Sequence, residues 1–199
     1  MTTISAGSIK AWERLYRSNF INSLTGFKSV SLVGTVNEKG ITNLGIYSSI
    51  VHIGSNPPLV GFINRPDNGT SHTLSNIRAT GVYTLNHIRP SFLKQAHQTG
   101  EKYPADISEF DQVGLTPEFV ENIRAPFVKE SSIKYALSLE EIIPIHLNNT
   151  SLVIGTILEV QLAEEMVGAD GFIELDKANS ICSNGNDAYY TTQFMDRFM

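Results

Sequence analysis

Two long segments with the composition of β-strands constrain the fold of this chain more than any other feature of its sequence. They span residues 133–143 and 152–162, and two adjacent asparagines between them supply a turn signal. Nearer the start, residues 37–40 (NEKG) lie between two further extended segments, a pattern typical of a β-hairpin. Helical segments are few and do not alternate regularly with the strands. The sequence therefore predicts a mainly β fold with short helices, in which antiparallel strands form a barrel.

Three short helices are predicted beside these strands. Ser8 can cap the first, which carries an apolar stripe at spacings of three and four residues. We expect this helix to pack on the barrel or on a partner subunit. Residues 71–78 form a second helix that Gly81 ends, and residues 91–98 form a third.

Length, charge and cysteine content narrow the class of protein. A chain of 199 residues with 41% hydrophobic content predicts a single domain over residues 1–199. Its net charge of −5 opposes binding to a nucleic-acid backbone. The single cysteine, Cys182, allows no internal disulfide, and neither a signal peptide nor a membrane-spanning run is evident. We expect a cytoplasmic protein without nucleic-acid or membrane partners.

Several catalytic and metal-binding motifs are absent from the sequence. It contains no G-x-S-x-G elbow, no Walker-type loop and no G-x-G-x-x-G opening a βαβ unit. The five histidines do not form the paired spacing of a helical zinc site. No metal site and no catalytic side chain is therefore predicted.

The stretch from Asn43 to Asn86 carries the chemistry that can be inferred from residue types. A glycine in the strand 42–49 lets another group approach the backbone, and neighbouring hydroxyls and an amide offer hydrogen bonds. Further on, an arginine and the start of a predicted helix together supply what an anionic phosphate needs. A planar cofactor bearing a phosphate is a reasonable hypothesis, although hydroxyl residues at a helix start are more often plain caps.

The longer motifs sharpen this hypothesis. The runs TNLGIYSSIVHIGSNPPLVGFINRP and SHTLSNIRATGVYTLNHI resemble the flavin-reductase-like split barrels, in particular a flavoredoxin-like branch. AHQTGEKYPADISEFDQVGLTPEF and NNTSLVIGTILEV extend the similarity from about residue 20 to residue 190. The resemblance implies a Greek-key, antiparallel split barrel that binds FMN at the interface of a homodimer.

The resemblance also implies which residues contact the cofactor. Those expected beside the ring, the ribityl chain or the phosphate are Asn43, Gly45, Tyr47, Ser48, Ser49, Arg65, His72 and Thr73, with Asn64, Asn76 and Asn86 as weaker candidates. The segment containing His97, Lys102 and Tyr103 is similar to a loop that covers the flavin face and could bind the electron donor or acceptor. It could equally shape only the dimer contact.

Three functions remain open from the sequence. The first is an FMN-dependent enzyme that takes hydride from NAD(P)H and passes electrons to flavin or another acceptor, the protein supplying position and the cofactor the chemistry. The second is a flavoredoxin-type FMN electron carrier reduced by a protein partner. The third is a barrel that has lost its flavin, which Asp67 keeps open because an acid near the expected phosphate would weaken binding.

Overall fold

The computed structural model of the protein describes residues 1–66 and 71–198. The strands are β1 (Lys28–Ser29), β2 (Ser31–Val36), β3 (Thr42–Tyr47), β4 (Ile50–Ser55), β5 (Pro58–Asn64), β6 (Val82–His87), β7 (Pro117–Val120), β8 (Ile123–Val128), β9 (Ile133–Ile145), β10 (Thr150–Leu162), β11 (Ile181–Asn184) and β12 (Ala188–Thr191). The α-helices are α1 (Ala6–Ala11), α2 (Arg14–Leu24), α3 (His72–Thr80), α4 (Leu93–Gln98) and α5 (Glu109–Val113). The predicted class, mainly β with short helices, is confirmed.

A seven-stranded antiparallel sheet forms the barrel, in the order β3-β2-β6-β9-β10-β5-β4. β9 and β10, 13 residues each, pair along their whole length with two register shifts. The sheet curls so that Tyr47 on β3 packs edge-on against Phe62 on β5, with ring centroids 4.8 Å apart. The end of β3 therefore lies beside the second half of β5.

Two apolar clusters fix the helices around this barrel. Inside it, Val33, Leu85 and Leu137 are fully buried and pack with Leu74 and Ile77 of α3. A second cluster lies between the sheet and helices α4 and α5; its members include Leu32, Leu44, Ala96, Phe110 and Val128. Burial of such side chains is the main source of stability in a domain of this size. The clusters hold the first turns of α3 and α5 beside β3.

The local signals for turns and caps are confirmed. Asn37 accepts hydrogen bonds from the N–H groups of Lys39 and Ile41 through its side-chain oxygen, both at 2.9 Å. Gly40 closes this hairpin with φ of +84°, a conformation that glycine adopts without strain. In α3, Ser71 caps the start by accepting from the N–H of Leu74 at 3.3 Å.

The prediction for the first helix is wrong in two respects. The cap is Ser5, whose hydroxyl accepts from the N–H of Ser8 at 3.1 Å, and the chain breaks at Trp12 before α2 begins. Neither α1 nor α2 buries a residue against the barrel. The Trp12 ring instead packs against Tyr16 and Phe20 within the same segment, with centroids 4.9 Å apart in both pairs. The apolar side chains of this segment therefore pack against one another and not against the core of the barrel.

Across residues 1–66 and 71–198, no helix has the length and apolar character of a bilayer span. The same ranges contain no group of three or more His, Cys, Asp or Glu side chains placed to hold a metal ion.

Candidate functional site

A large cleft opens beside the edge strand β3. Its walls come from β3 and the turn after it, the end of β5, the start of α3, the loop after α4 and the hairpin formed by β11 and β12. The cavity volume is about 1110 Å³. Pockets that hold one small ligand commonly measure about 300–1,000 Å³. The cleft therefore has room for a cofactor and a second ligand.

Most of the residues singled out in the sequence meet in this cleft. Those that line it are Asn43, Gly45, Tyr47, Ser48, Ser49, Asn64, Arg65, His72, Thr73, His97, Lys102 and Tyr103. The two segments predicted to serve the cofactor and the second ligand thus share one cavity. Their roles toward those ligands stay predictions.

Two predicted residues lie elsewhere. Asn86 is fully buried in β6, where its amide donates to the carbonyl of Leu32 at 3.1 Å and accepts from the N–H of Val128 at 2.8 Å. Asn76 points its amide nitrogen to the hydroxyl of Thr35 at 3.1 Å. Both amides serve internal hydrogen bonds, so their placement at the cofactor is corrected. Asp67 lies outside the described residues.

Strand β3 offers a close approach at the base of the cleft. A methyl group added to Gly45 would lie 3.3 Å from the Thr73 hydroxyl and 3.2 Å from the Tyr47 ring. Both contacts are tight, so a larger side chain here would displace its neighbours. The Tyr47 hydroxyl donates to the side-chain oxygen of Asn64 at 3.1 Å, which fixes the ring at the edge of this surface. The absence of a side chain at Gly45 thus lets Thr73 and Tyr47 lie close against β3 where the strand lines the cleft.

A buried hydrogen-bond network lies under Gly45. The Glu109 carboxylate accepts from the N–H of Leu44 at 3.1 Å, and Glu109 is only 5% exposed. Asn43 links this carboxylate to the Thr73 hydroxyl, because one end of its amide lies 3.2 Å from Glu109 Oε1 and the other 3.0 Å from Thr73 Oγ1. Burial raises the pKa of Glu109, while the nearby His72 and the backbone N–H groups act to lower it. We call Asn43, Gly45, Thr73 and Glu109 the floor.

The charge of the cleft differs from that of the whole chain. Three permanently cationic side chains line it, Lys28, Arg65 and Lys102, against the two carboxylates of Glu101 and Glu109. The chain as a whole carries −5. The N-terminus of α3 adds the partial positive charge of its free N–H groups. An acidic protein thus presents a locally cationic cleft, which favours an anionic group.

The sequence did not predict two residues that complete the outer wall of the cleft, Asn186 and Tyr189. Asn186 accepts a 2.6 Å hydrogen bond from the Arg65 guanidinium, and the Tyr189 hydroxyl lies 2.7 Å from Nδ1 of His97. These pairs are 121 and 92 positions apart, so no short motif could connect them. We call Arg65, His97, Asn186 and Tyr189 the mouth.

Ser183 was also missed. Its hydroxyl is buried, lines the cleft and has no hydrogen-bond partner within residues 1–66 and 71–198. Buried polar atoms are rarely left unpaired in folded proteins. Together with the close approach at Gly45, this hydroxyl fits a cleft built to hold a polar ligand.

Comparisons with known proteins agree with this geometry. The model of the family described as flavin reductase like domain matches residues 27–178. A structure from Shewanella frigidimarina, described as a candidate flavin reductase with a split barrel domain, is 45% identical, covers 100% of this chain and 99% of its own, and superposes with a TM-score of 0.96.

Two more distant structures share the fold. Nitrilotriacetate monooxygenase component B from Bacillus cereus is 22% identical over 100% of this chain and 98% of its own, with a TM-score of 0.87. Flavoredoxin of Desulfovibrio vulgaris is 22% identical over 86% of this chain and 91% of its own, with a TM-score of 0.74. The predicted split-barrel architecture is confirmed.

Proposed function

The chain belongs to the flavin reductase-like family, and from that premise we propose that it is an FMN-dependent enzyme which takes hydride from NAD(P)H and passes electrons to flavin or another acceptor. Family membership supports the coarser statement, a flavin-related oxidoreductase. We propose in addition that the flavin is FMN, that NAD(P)H is the electron donor and that the residues described next bind them. The observation that carries it is the cationic cleft in which β3, the start of α3 and Arg65 line one cavity.

The phosphate of FMN would be held where α3 begins. Thr73 and His72 lie in the first turn of this nine-residue helix, whose unpaired N–H groups favour an anion. The guanidinium of Arg65 lines the same part of the cavity and is held by Asn186. A planar guanidinium can donate two parallel hydrogen bonds to a phosphate. The side chains thus provide charge and directed donors together.

The ring and the ribityl chain would lie along β3 and the turn after it. Gly45 lines the cleft with Thr73 and Tyr47 packed close against it, and Ser48 and Ser49 offer hydroxyls beyond it. Asn64 accepts from both Tyr47 and Ser71, so the Tyr47 ring is held in place. When bound, the flavin supplies the hydride and electron chemistry. The protein's own residues orient it, shield it from water and set the charge around it.

A second ligand has a place at the mouth. The volume of about 1110 Å³ exceeds that of common single-ligand pockets, and His97, Lys102 and Tyr103 also line this cavity. A cation and two hydrogen-bonding rings suit a nucleotide donor, which favours the enzyme over a flavoredoxin-type carrier. A carrier would need an exposed cofactor edge and no second small-molecule site.

We also propose that the protein acts as a homodimer. α2 buries none of its residues, and Leu15 and Leu24 on it are 71% and 66% exposed. On β10, Leu158 and Val160 are 51% and 45% exposed. Apolar surface of this extent on a helix and a sheet is typical of an interface. Light scattering on a size-exclusion column should give twice the 21.9 kDa chain mass, and a mass of one chain would contradict this proposal.

Visible spectroscopy tests the proposed function directly. Purified protein incubated with FMN and desalted should retain the absorption bands of a flavin. Under argon, addition of NADH or NADPH should bleach them faster than the same nucleotide bleaches free FMN. A protein that binds FMN but is reduced no faster than free FMN would support the electron carrier. A protein that retains no FMN would support the third hypothesis, that the barrel has lost its flavin.

A further inference from the structure

The side-chain amide of Asn43 lies between the carboxyl group of Glu109 and the hydroxyl of Thr73. One end is 3.2 Å from Oε1 of Glu109. The other end is 3.0 Å from the hydroxyl of Thr73, 3.2 Å from that of Thr35 and 3.2 Å from the backbone nitrogen of Leu44. Asn43, Thr73 and Glu109 are each less than 9% exposed, so water does not substitute for these contacts. An amide has one accepting end and one donating end, so its orientation must match the protonation of the carboxyl group.

When Glu109 is ionised, it can only accept. The Asn43 nitrogen then donates to the carboxylate, and the Asn43 oxygen accepts from the hydroxyl of Thr73. The single hydroxyl proton of Thr73 is used inside the protein. Toward the cleft, Thr73 therefore presents only lone pairs, which repel an anion.

When Glu109 is protonated, the bonds from Glu109 Oε1 through Asn43 to Thr73 reverse, while the N–H of Leu44 continues to donate to Oε2. The carboxyl proton is donated to the Asn43 oxygen, and the Asn43 nitrogen donates to Thr73 Oγ1 at 3.0 Å. The hydroxyl proton of Thr73 is then free to point into the cleft that Thr73 lines. The same heavy-atom positions serve both states, so no backbone movement is required.

We propose that Glu109 is a positioning residue whose protonation, relayed through the Asn43 amide, decides whether Thr73 donates a hydrogen bond to an anionic phosphate in the cleft. This inference rests on the proposed function, because the anion is taken to be the phosphate of FMN. It adds a coupling between proton uptake and cofactor binding. Phosphate binding strengthens when Glu109 is protonated, and by linkage a bound phosphate favours the protonated carboxyl.

The surroundings of Glu109 support this behaviour. Its Oε2 accepts from the N–H of Leu44, and no lysine or arginine of the described ranges forms a salt bridge with it. The titratable groups that face it or lie on the elements packed against it are Tyr47, His72, Lys94, His97, Tyr103 and Asp111. Desolvation raises the pKa of Glu109 and His72 partly opposes that rise. A carboxyl buried without a salt bridge takes up a proton more readily than an exposed one.

Substitution of Glu109 by Gln separates the two states. In E109Q, the new amide can accept from Leu44 and donate to Asn43, which fixes the pattern of the protonated form. We expect E109Q to bind FMN roughly tenfold more tightly than the wild type at pH 8, the effect of one hydrogen bond to a charged group. At pH 5 the two dissociation constants should converge. With riboflavin, which has no phosphate, the two proteins should differ by less than about twofold, since the bond in question is missing.

Two further variants control the experiment. Glu130 is a carboxylate that accepts from the N–H of Thr116 at 3.0 Å outside the cleft, so E130Q should match the wild type at each pH. In H72Q, the affinity for FMN should still depend on pH as it does in the wild type. This result would show that the dependence does not come from the His72 side chain. Equal FMN affinity of E109Q and wild type at pH 8, or an equal gain with riboflavin, would overturn the proposal.

A readout without cofactor keeps the inference separate from the proposed function. In the free protein, the side-chain NH₂ signals of Asn43 should shift along the same titration curve as the Glu109 carboxyl carbon, and in E109Q they should not. NH₂ signals that ignore the Glu109 titration would overturn the relay even if FMN binds. If no FMN binds at any pH but the signals titrate together, the cofactor assignment fails and the relay stands.

Discussion

The floor and the mouth of the cleft are built in contrasting ways. The floor joins β3 to the first turns of α3 and α5 through buried contacts, with Asn43, Thr73 and Glu109 nearly inaccessible. The mouth joins distant segments through exposed side chains, as in the bonds of Arg65 to Asn186 and of His97 to Tyr189. Buried polar contacts are costly to disrupt, whereas exposed ones contribute little. The floor, together with Arg65 of the mouth, is therefore suited to hold one cofactor, and the His97–Tyr189 side of the mouth to admit a ligand that comes and goes.

Crowding the floor should have the largest effect. In G45V, the added branches would meet the Thr73 hydroxyl and the Tyr47 ring, which already lie within 3.3 Å of a single added methyl. We expect FMN affinity to fall by roughly a hundredfold, since the Thr73 donor and the Tyr47 ring are both displaced from the cofactor site, while the overpacking itself lowers the stability of the fold by about 1–3 kcal/mol. Fluorescence titration of FMN measures this loss, and thermal unfolding checks that the fold persists. Unchanged affinity in a folded G45V protein would place the cofactor away from β3.

Removing the charge of Arg65 should have the next largest effect. R65Q is expected to lower FMN affinity by roughly tenfold and riboflavin affinity by less than twofold, because a charge-assisted bond to the phosphate is lost. The matched control is R124Q, since Arg124 donates to the carbonyls of Asn37 and Glu38 away from the cleft. An equal loss for both flavins would show that Arg65 supports the wall and does not contact the phosphate.

The pH dependence of stability compares a floor carboxyl with an exposed one. The folded-state pKa of Glu109 is raised by burial, so the folded protein binds a proton more tightly than the unfolded chain. Its contribution is therefore most favourable at low pH and is lost as the pH rises through the folded pKa. E109Q should accordingly gain unfolding free energy relative to wild type at pH 8 and not at pH 4.

Glu101 supplies the control for that measurement. It lines the mouth side of the cleft and is exposed, so E101Q should leave the unfolding free energy unchanged at both pH values. Urea unfolding of the three proteins at pH 4 and pH 8 decides the matter. A wild type that is more stable than E109Q at pH 8 would mean that ionised Glu109 stabilises the floor.

Loosening the His97–Tyr189 side of the mouth should have the smallest effect on the cofactor. Y189F removes the hydroxyl that lies 2.7 Å from Nδ1 of His97, an exposed bond. We expect less than about a twofold change in FMN affinity, the usual scale for such a contact. The KM for the nucleotide donor should rise by a few-fold at nearly constant kcat. A large loss of FMN from Y189F would contradict the division between floor and mouth.

Turn and cap patterns in the sequence predicted the elements whose formation depends only on neighbouring residues. The hairpin closed by Gly40 and the helix capped by Ser71 need only neighbouring residues, and both formed where expected. The cleft residues Asn43 and Thr73 are close together because α3 packs against β2 and β3, although β4 and β5 lie between them in the chain. The resemblance to the flavin family extended this grouping to His97 and Lys102.

Tertiary packing decided what the sequence could not predict. Asn86 and Asn43 have the same side chain, yet one serves the barrel wall and the other the floor, depending on which neighbours they meet. No sequence pattern marked Glu109 as a site residue, because its burial depends on the packing of α5 against β3. Asn186 and Tyr189 reach the cleft only through the pairing of β11 with β12. Such contacts follow from the topology and not from spacing.

The most direct test of the central claim compares two flavins by NMR. Backbone and side-chain N–H spectra of the protein would be recorded with saturating FMN and with saturating riboflavin, which differ only in the phosphate. The account predicts that the differences between the two spectra concentrate on the amides of His72 and Thr73 and on the guanidinium of Arg65. Differences located on another part of the barrel, or identical spectra, would contradict it.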